Sequence, residues 1–153
     1  MPSTLECRIA GWPDLPHIVV LLNDDELGRT RNPVFADAEL AYRTAFAELV
    51  RHDDNNVVVA ERDGRVVGCY QLTFIRGLSH LGGMRAQVES VRVTSDLRGT
   101  GVGTELMRDA IDRARARNCV LIQLTTDTRR ADTRRFYERL GFVASHHGMK
   151  QFL

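Results

Sequence analysis

The sequence predicts one domain of mixed α/β class, and three observations support this. Its 153 residues are a typical length for a single domain with a sizeable core. Short apolar runs, typical of strands, lie between segments whose apolar residues recur at helical spacing. The chain contains no internal repeat or credible linker, and its 43% hydrophobic and 27% charged residues are those of an ordinary globular protein.

The first predicted elements are a strand and a helix. Residues 5–9 are expected to form a short strand. A helical pattern covers residues 12–22, where Pro13 and Pro16 are tolerated only in the first turn. The polar, acidic segment 23–33 is predicted to be a loop or the edge of a helix.

A second helix and a β-hairpin follow. Asp37 is placed to cap a helix that continues to about residue 51. Residues 56–61 and 66–75 are predicted strands. Asp63 and Gly64 lie between them, and this pair of residues is a strong signal for a two-residue hairpin turn.

The third long strand and the longest helix come next. Residues 77–83 form the preceding turn, and the strand covers residues 87–93. The helix after it carries apolar residues at steps of four, which predicts one buried face. These residues are Val102, Leu106, Ala110 and Ala114.

The last third of the chain completes the sheet. The near-continuous apolar run 119–124 is typical of a central strand. A shorter helix is predicted over residues 131–140, and Gly141 is placed to end it in a left-handed conformation. Residues 142–143 and 149–153 are expected to form closing strands.

Three glycines at alternate positions separate the strand at 87–93 from the long helix. Gly99, Gly101 and Gly103 let the backbone turn tightly and approach a ligand without a Cβ atom in the way. The helix behind them offers N–H groups without intrahelical partners and the positive end of its dipole. This pattern predicts a site for a diphosphate-like anion.

Two common phosphate-binding loops do not match this pattern. A Walker A loop requires Lys after its last glycine, whereas Thr104 follows Gly103. A dinucleotide-binding loop has the spacing G-x-G-x-x-G near the start of a βαβ unit. Here the spacing is G-x-G-x-G, and it occurs late in the chain after a hairpin.

Two stretches of the chain resemble the GNAT superfamily of acyl-CoA-dependent N-acetyltransferases. The first has VESVRV at 88–93 and RGTGVG at 98–103, similar to the family's strand, R/Q-x-x-G-x-G/A loop and helix. The second has FYERLGF at 136–142, similar to the family's F-Y-x-x-x-G-F signature. The resemblance covers residue 56 to the C-terminus and, more loosely, the elements before it.

The resemblance implies a GNAT-like single domain over residues 1–153. Its central sheet would have about six or seven mostly antiparallel strands, with one parallel pair that splays apart. About four helices would cover the two faces. Residues 12–52 and 76–84 would form the acceptor side, and residues 88–140 would form most of the acetyl-CoA site.

The resemblance also implies acetyl-CoA as the cosubstrate and no metal. Main-chain N–H groups of the glycine loop and the Arg98 side chain would hold the phosphates. Main-chain groups of the splayed strand would hold the acetyl and pantetheine groups. The predicted cofactor-binding residues are Val91, Val93, Arg98, Gly99, Thr100, Gly101, Val102, Gly103 and Thr104.

Acyl transfer to an amine needs a base, an oxyanion donor and an acid. Glu89 is the predicted base, acting directly or through a water; the alternatives are a structural ion pair or an exposed edge position. Strand alternation places Glu89 on the face of Val91 and Val93 unless a bulge intervenes. The Val93 N–H is the implied oxyanion donor. Tyr137 is the predicted acid, with a core aromatic role as its alternative.

The expected acceptor is a primary amine of a small molecule or a protein. It would approach between the segments 23–33 and 77–83. Asp24, Asp25 and Glu26 could attract a cationic amine, although a solvated acidic loop is the favoured interpretation. Arg130 stands where the family often has Asn, and either a phosphate or amide contact or a plain surface role is open to it.

Other functions stay open at this point. They are a non-catalytic acyl-CoA-binding module, transfer of a longer acyl group, and an interaction protein whose arginine-rich last third contacts nucleic acid. The net charge of +1 gives no general attraction to nucleic acid or membranes, so neither is an expected partner. A homodimer paired through C-terminal edge strands is possible.

The cysteines indicate the expected compartment. Cys7, Cys69 and Cys119 are odd in number, far apart and without C-x-x-C spacing, which argues against a disulfide framework or a zinc site. No signal peptide or membrane-length apolar run is evident in the sequence. A cytoplasmic location is therefore expected.

Overall fold

The computed structural model describes residues 4–31 and 37–153, which form a mixed α/β domain. Its described part contains a five-stranded sheet in the order β1–β2–β3–β4–β5. The pairs β1–β2, β2–β3 and β3–β4 are antiparallel, and β5 runs parallel to β4. The strands are β1 (Glu6–Ile9), β2 (Asn55–Arg62), β3 (Arg65–Ile75), β4 (Arg85–Val93) and β5 (Leu121–Leu124).

Helices pack on both faces of this sheet. They are α1 (Leu15–Leu22), α2 (Glu26–Arg31), α3 (Ala38–Leu49), α4 (Ser79–Gly82), α5 (Val102–Ala116) and α6 (Ala131–Arg139), with 3₁₀ turns at Trp12–Asp14 and Ser95–Leu97. The short α4 contains two residues, His80 and Leu81, in the left-handed conformation. In the described part of the chain, no helix has the length and apolar character that a membrane span requires.

The main core lies between the sheet and α5. The four apolar residues predicted to share one face of this helix, at positions 102, 106, 110 and 114, are all buried. They pack against Leu72 and Phe74 of β3 and against Ala86 and Val88 of β4. Full burial of a side chain the size of Leu or Phe contributes about 1.5–3 kcal/mol. The predicted helix and its buried face are confirmed.

A second cluster lies on the opposite face, beneath α1 and α3. Ile18 and Leu21 of α1 and Phe46 of α3 pack there against Val59 and Cys69 of the sheet. The sheet is therefore covered on both sides, and a functional site can open only where the strands or helices separate.

The hairpin between β2 and β3 has the predicted turn. Asp63 and Gly64 both have positive φ, 52° and 75°. Two-residue hairpin loops favour such turns because their twist matches that of the paired strands. The hairpin fixes the register in which β3 pairs with β2, and β4 pairs with the other edge of β3.

The prediction of closing strands at residues 142–143 and 149–153 is wrong. Residues 142–153 contain no helix or strand, so the described sheet has five strands and not the expected six or seven. Val143, Met149 and Phe152 are more than four-fifths exposed, and a strand that buries so little apolar surface gains little stability. In consequence β5 is an edge strand, not the central strand that its apolar run indicates.

The segment 23–33 contains a helix where a loop or a helix edge is predicted. With α2 and α4 the described residues hold six helices, compared with the expected four. Asp25 lies just before α2, and its carboxylate accepts the Gly28 N–H at 2.5 Å, in the manner of an N-cap. A Cβ at position 28 would lie 2.1 Å from the Leu22 carbonyl oxygen, so this tight packing requires glycine.

Candidate active site

Two parallel strands part at the centre of the candidate site. β4 and β5 pair from Arg85↔Leu121 to Val88↔Leu124, where β5 ends. β4 continues to Val93. Beyond Val88, one edge of β4 therefore has no partner strand among the described residues and an opening beside it, as the predicted splay requires.

A β-bulge interrupts β4 within this opening. Cys69 pairs with Arg92 and Gln71 pairs with Glu89, so one residue of β3, Tyr70, lies opposite two residues of β4. Ser90, in the bulge, has a positive φ of 54°. Bulges of this kind re-aim the side chains that follow them.

The bulge changes the face on which Glu89 lies. Val88 is buried against α5, and Val91 and Val93 pack against the same core cluster, three and five residues later. Glu89 therefore lies on the opposite face from Val91 and Val93, and simple alternation does not hold. Its side chain is exposed, so the burial cost expected for a carboxylate in an apolar strand does not arise.

The Val93 N–H points into the opening. The next residue, Thr94, donates its N–H to the Val67 carbonyl of β3 at 2.9 Å. Successive N–H groups of an extended strand point in opposite directions, so that of Val93 points away from β3. This direction is the one required of the predicted oxyanion donor.

The glycine loop presents a row of N–H groups without protein acceptors. Gly99 and Gly101 have φ values of 76° and 98°, and each has open space where a Cβ would lie. The Thr100 N–H bonds the Leu97 carbonyl at 3.3 Å and is not available. Within residues 4–31 and 37–153, no acceptor takes the N–H groups of Gly99, Gly101, Val102, Gly103 and Thr104.

These loop residues fit the diphosphate of CoA. Unpaired N–H groups at a helix N-terminus bind phosphate oxygens, and the helix dipole favours the negative charge. The 15-residue α5 begins at Val102, directly behind the loop, and no side chain of the described residues caps it. Thr100 is the exception among the predicted loop contacts, because its hydroxyl also bonds the Leu97 carbonyl, at 2.7 Å.

The two motifs that are distant in the sequence meet at Gly103. A Cβ at this position would lie 3.5 Å from the Phe136 ring of α6. Phe136 and Tyr137 stack edge to face at 5.1 Å, and Tyr137 packs similarly on Phe142 at 5.7 Å. The second motif therefore fixes α6 beside the glycine loop.

Tyr137 lies half-buried beside two arginines. Burial raises the pKa of Tyr137, while the nearby charges of Arg92 and Arg130 oppose that rise. The hydroxyl therefore stays protonated at neutral pH. Among the described residues nothing accepts or donates a hydrogen bond at this hydroxyl, which leaves it available to a ligand.

Arg98 does not point freely toward a ligand. Its Nη2 lies 3.0 Å from the Asp24 carboxylate, which also accepts the Ser95 N–H at 3.1 Å. This ion pair joins the segment before α2 to the glycine loop. No local pattern in the sequence indicates this pair, because 74 residues separate the partners.

Arg130 also has a partner within the chain. Its Nη2 lies 2.6 Å from the Asp25 carboxylate, so α6 is tied to the start of α2. Both Asp24 and Asp25 are therefore engaged by arginines. Neither is an uncompensated charge that would attract a cationic amine.

The arginines of the last third are largely paired with carboxylates. Ion pairs are made by Arg113, Arg115, Arg117, Arg129, Arg130 and Arg134. Paired arginines offer little net positive potential to a nucleic-acid backbone. No group of three His, Cys, Asp or Glu residues in the described part of the chain is arranged to hold a metal ion.

The sequence profile of the acetyltransferase (GNAT) family matches residues 15–142. The chain belongs to this family, as the two motifs indicated. The fold, the glycine loop and the parted strands are the features that the resemblance implied.

Three known proteins are similar to this chain over most of its length. An aminoalkylphosphonate N-acetyltransferase of Salmonella typhimurium is 31% identical over 106 residues, which are 69% of this chain and 68% of that protein. An L-methionine sulfoximine/L-methionine sulfone acetyltransferase of Pseudomonas aeruginosa is 31% identical over 140 residues, 90% of this chain and 80% of that protein. A crystal structure from Bacillus halodurans, described as a transcriptional regulator, is 43% identical with a TM-score of 0.93, covering 98% of this chain and 100% of that one.

Proposed function

We propose that this protein is an acyl-CoA-dependent N-acetyltransferase that moves the acetyl group of acetyl-CoA to a primary amine by direct attack. The observation that carries the proposal is the row of unpaired N–H groups at the N-terminus of α5, beside the opening between β4 and β5. In the reaction, the amine nitrogen forms a bond to the thioester carbonyl carbon and the carbon–sulfur bond breaks. The amine loses a proton, and the departing thiolate gains one.

The assignment of residues to the cosubstrate follows the geometry of β4 and the glycine loop. Acetyl-CoA would supply an activated acyl thioester. The N–H groups of Gly99, Gly101, Val102, Gly103 and Thr104 would bind its diphosphate. The Arg98 guanidinium would add a charge-assisted contact, with Asp24 as its competitor. Main-chain groups of Val91 and Val93 would bind the arm that lies in the opening.

Glu89 is the proposed base. A protonated alkyl amine has a pKa near 10 and must lose a proton before it attacks. Glu89 is the first residue of β4 after its pairing with β5 ends, so its position on the strand borders the opening. Because this side chain is exposed, a water between it and the amine is compatible with the site.

Tyr137 is the proposed acid, and the Val93 N–H is the proposed oxyanion donor. The raised pKa of Tyr137 keeps its proton in place until a thiolate departs. An N–H group that is fixed in a strand needs no reorganisation when negative charge develops on the carbonyl oxygen. These two groups would act on opposite ends of the bond that breaks.

The acceptor would bind on the face covered by α1 and α3, in residues 12–52 and 76–84. A pocket of about 90 Å³ lies there, lined by Ile18, Phe46, Gln71 and Ser90 among others. Two relatives of this chain carry names that specify small acceptors, an aminoalkylphosphonate and glucosamine 6-phosphate. The small volume of the pocket and the acceptors in these two names both favour a small-molecule amine over a protein amine for this chain.

Thermal unfolding with acetyl-CoA, CoA, ATP and NAD in parallel tests the cosubstrate. A ligand at about 100 times its Kd adds roughly 2.7 kcal/mol of apparent stability. Selective stabilisation by the two CoA species is expected, and stabilisation by ATP or NAD instead would reject the proposal. Release of free thiol across an amine panel then separates an enzyme from a non-catalytic binding module, and acyl-CoA donors of increasing chain length test the acyl group.

A homodimer is compatible with the exposed C-terminal segment. The outer edge of β5 has no partner strand in the described sheet, and the apolar side chains of residues 149 and 152 are exposed. Sedimentation velocity distinguishes a monomer from a dimer, and removal of residues 145–153 tests whether this segment contributes.

A further inference from the structure

Arg92 of β4 is a half-buried cation without a carboxylate partner. Its Nη1 donates to the carbonyl of its own neighbour, Val91, at 3.0 Å. Its Nε is buried and has no hydrogen-bond partner in the described part of the chain, where no carboxylate oxygen lies within 4.0 Å of the guanidinium. Buried polar groups are normally paired, because an unmade hydrogen bond costs about 1–3 kcal/mol.

The arginines around Arg92 show how unusual this is. Arg130 lies 2.6 Å from Asp25, Arg31 lies 2.6 Å from Asp127, and Arg98 is paired with Asp24. Unlike these three, Arg92 has no carboxylate within ion-pair distance among the described residues. The Asp25 carboxylate attracts it at longer range, and Arg130 and Arg31 add positive charge nearby.

The bulge in β4 places Arg92 on the same face as Glu89. These two residues pair with Cys69 and Gln71 of β3, and directly opposed residues share a face. Cys69 and Gln71 both line the pocket beneath α1 and α3. Cys69 and Gln71 are two positions apart on β3, which is about 7 Å, so their partners Arg92 and Glu89 are separated by a similar distance at the edge of this pocket.

We propose that the acceptor is a small amine with an anionic group a few bonds away, and that Arg92 binds this group while Glu89 faces the amine. This inference rests on the proposed function. The shared chemistry of the group is that of a carboxylate, phosphonate or phosphate ester, each of which accepts two parallel hydrogen bonds from a guanidinium. The apolar pocket holds the rest of the acceptor.

Matched acceptor pairs test the inference in the full-length protein. Each pair compares an amine that carries an anionic group (the anionic amine) with a related one in which that group is absent or neutral (the neutral amine): leucine with leucinamide, phosphoethanolamine with ethanolamine, and 2-aminoethylphosphonate with propylamine. For at least one pair we expect kcat/KM to favour the anionic amine by about 100-fold. The pair with the largest ratio identifies the anionic group.

The variants Arg92→Gln and Arg92→Lys then test whether Arg92 is the residue that distinguishes the two kinds of acceptor. Arg92→Gln is expected to lower kcat/KM for the anionic amine by about 100-fold more than for the neutral amine, and so to abolish the preference. Arg92→Lys keeps the positive charge and should therefore retain part of the preference for the anionic amine. Arg115→Gln, on the exposed surface of α5, is the control and should match the wild type.

A binding measurement separates failure of this inference from failure of the proposed function. In the presence of CoA, the preferred anionic amine should stabilise the wild type in thermal unfolding but not Arg92→Gln. Equal use of both members of every pair, or an Arg92→Gln effect on acetyl-CoA instead of the acceptor, would overturn the inference and leave an acetyltransferase. Absence of acetyl-CoA binding, or of any acetylation, would overturn both.

Discussion

The Asp24 carboxylate lies 3.0 Å from Nη2 of Arg98 and connects the segment before α2 to the loop at the start of α5. In the proposed complex, the diphosphate of CoA would compete with this carboxylate for the same guanidinium. In that complex the contact would couple the proposed acceptor side of the domain to the cosubstrate side.

Replacing Asp24 should strengthen CoA binding. Asp24→Asn removes the competing charge and leaves Arg98 free for phosphate. Because exposed ion pairs contribute at most about 1 kcal/mol, the expected decrease in Kd is about two- to fivefold. Calorimetric titration with CoA measures it. Asp112→Asn, which breaks an exposed pair on α5, should leave the Kd unchanged; weaker binding by Asp24→Asn would show that the ion pair supports the loop.

Removing the Tyr137 hydroxyl should slow the reaction without weakening CoA binding. Tyr137→Phe keeps the aromatic contacts with Phe136 and Phe142. Loss of a general acid lowers kcat by about 100-fold or more. Steady-state kinetics and a CoA titration check the two halves of this expectation. Full activity of the variant would assign Tyr137 to packing alone.

The raised pKa of Tyr137 also predicts the shape of the pH profile. Its ordinary value is 10.0, and burial moves it higher, so the acid stays protonated throughout the range from neutral pH to about 9.5. The wild-type kcat should not fall with rising pH in this range. A decline that is centred near pH 8 and disappears in Tyr137→Phe would contradict the assignment.

Replacing Glu89 should produce a defect that depends on pH. Glu89→Gln removes the proposed base and is expected to lower kcat by about 100-fold at neutral pH. The defect should shrink as the pH approaches about 10, since the free amine then forms without a base. A pH series of initial rates tests this. Glu48→Gln, at an exposed pair on α3, serves as the control.

The ion pair between Arg8 and Asp14 should stabilise the fold in a pH-dependent way. The Arg8 guanidinium lowers the pKa of the buried Asp14, which also accepts the Gly11 N–H. Asp14→Asn should lower the free energy of unfolding by about 1–2 kcal/mol at neutral pH, where the folded chain gains from the carboxylate.

This difference should vanish in acid. A carboxyl group whose pKa is lower in the folded chain than its ordinary value of 3.8 stabilises above that value and loses its contribution as the pH falls. Urea unfolding at pH 7 and below pH 3 compares the two proteins. A difference that stays constant over this range would assign the effect to packing and not to charge.

Local patterns predicted most of the framework. The buried face of α5, the hairpin at Asp63 and Gly64, and the two motifs are encoded within short segments of the chain. Gly141 ends α6 with a φ of 91°, as its position indicated. Such features depend on neighbours a few residues away, and so they can be read from sequence.

The details of the site depend on contacts between distant segments. The bulge at Ser90 depends on the register in which β4 pairs with β3, and no residue pattern within β4 predicts it. It puts Glu89 on the other face from Val91 and Val93, and Arg92 on the face of the proposed acceptor pocket. The partners of Arg98 and Arg130 lie 74 and 105 residues away, beyond the reach of any local pattern.

Amide resonances of the glycine loop test the central claim most directly. In a ¹⁵N-labelled protein titrated with CoA, the N–H signals of Gly99, Gly101 and Gly103 should shift downfield as they bond phosphate oxygens, and they should saturate at the Kd measured by calorimetry. If CoA binds with those three signals unmoved, its diphosphate lies elsewhere and the proposed arrangement of the site is wrong.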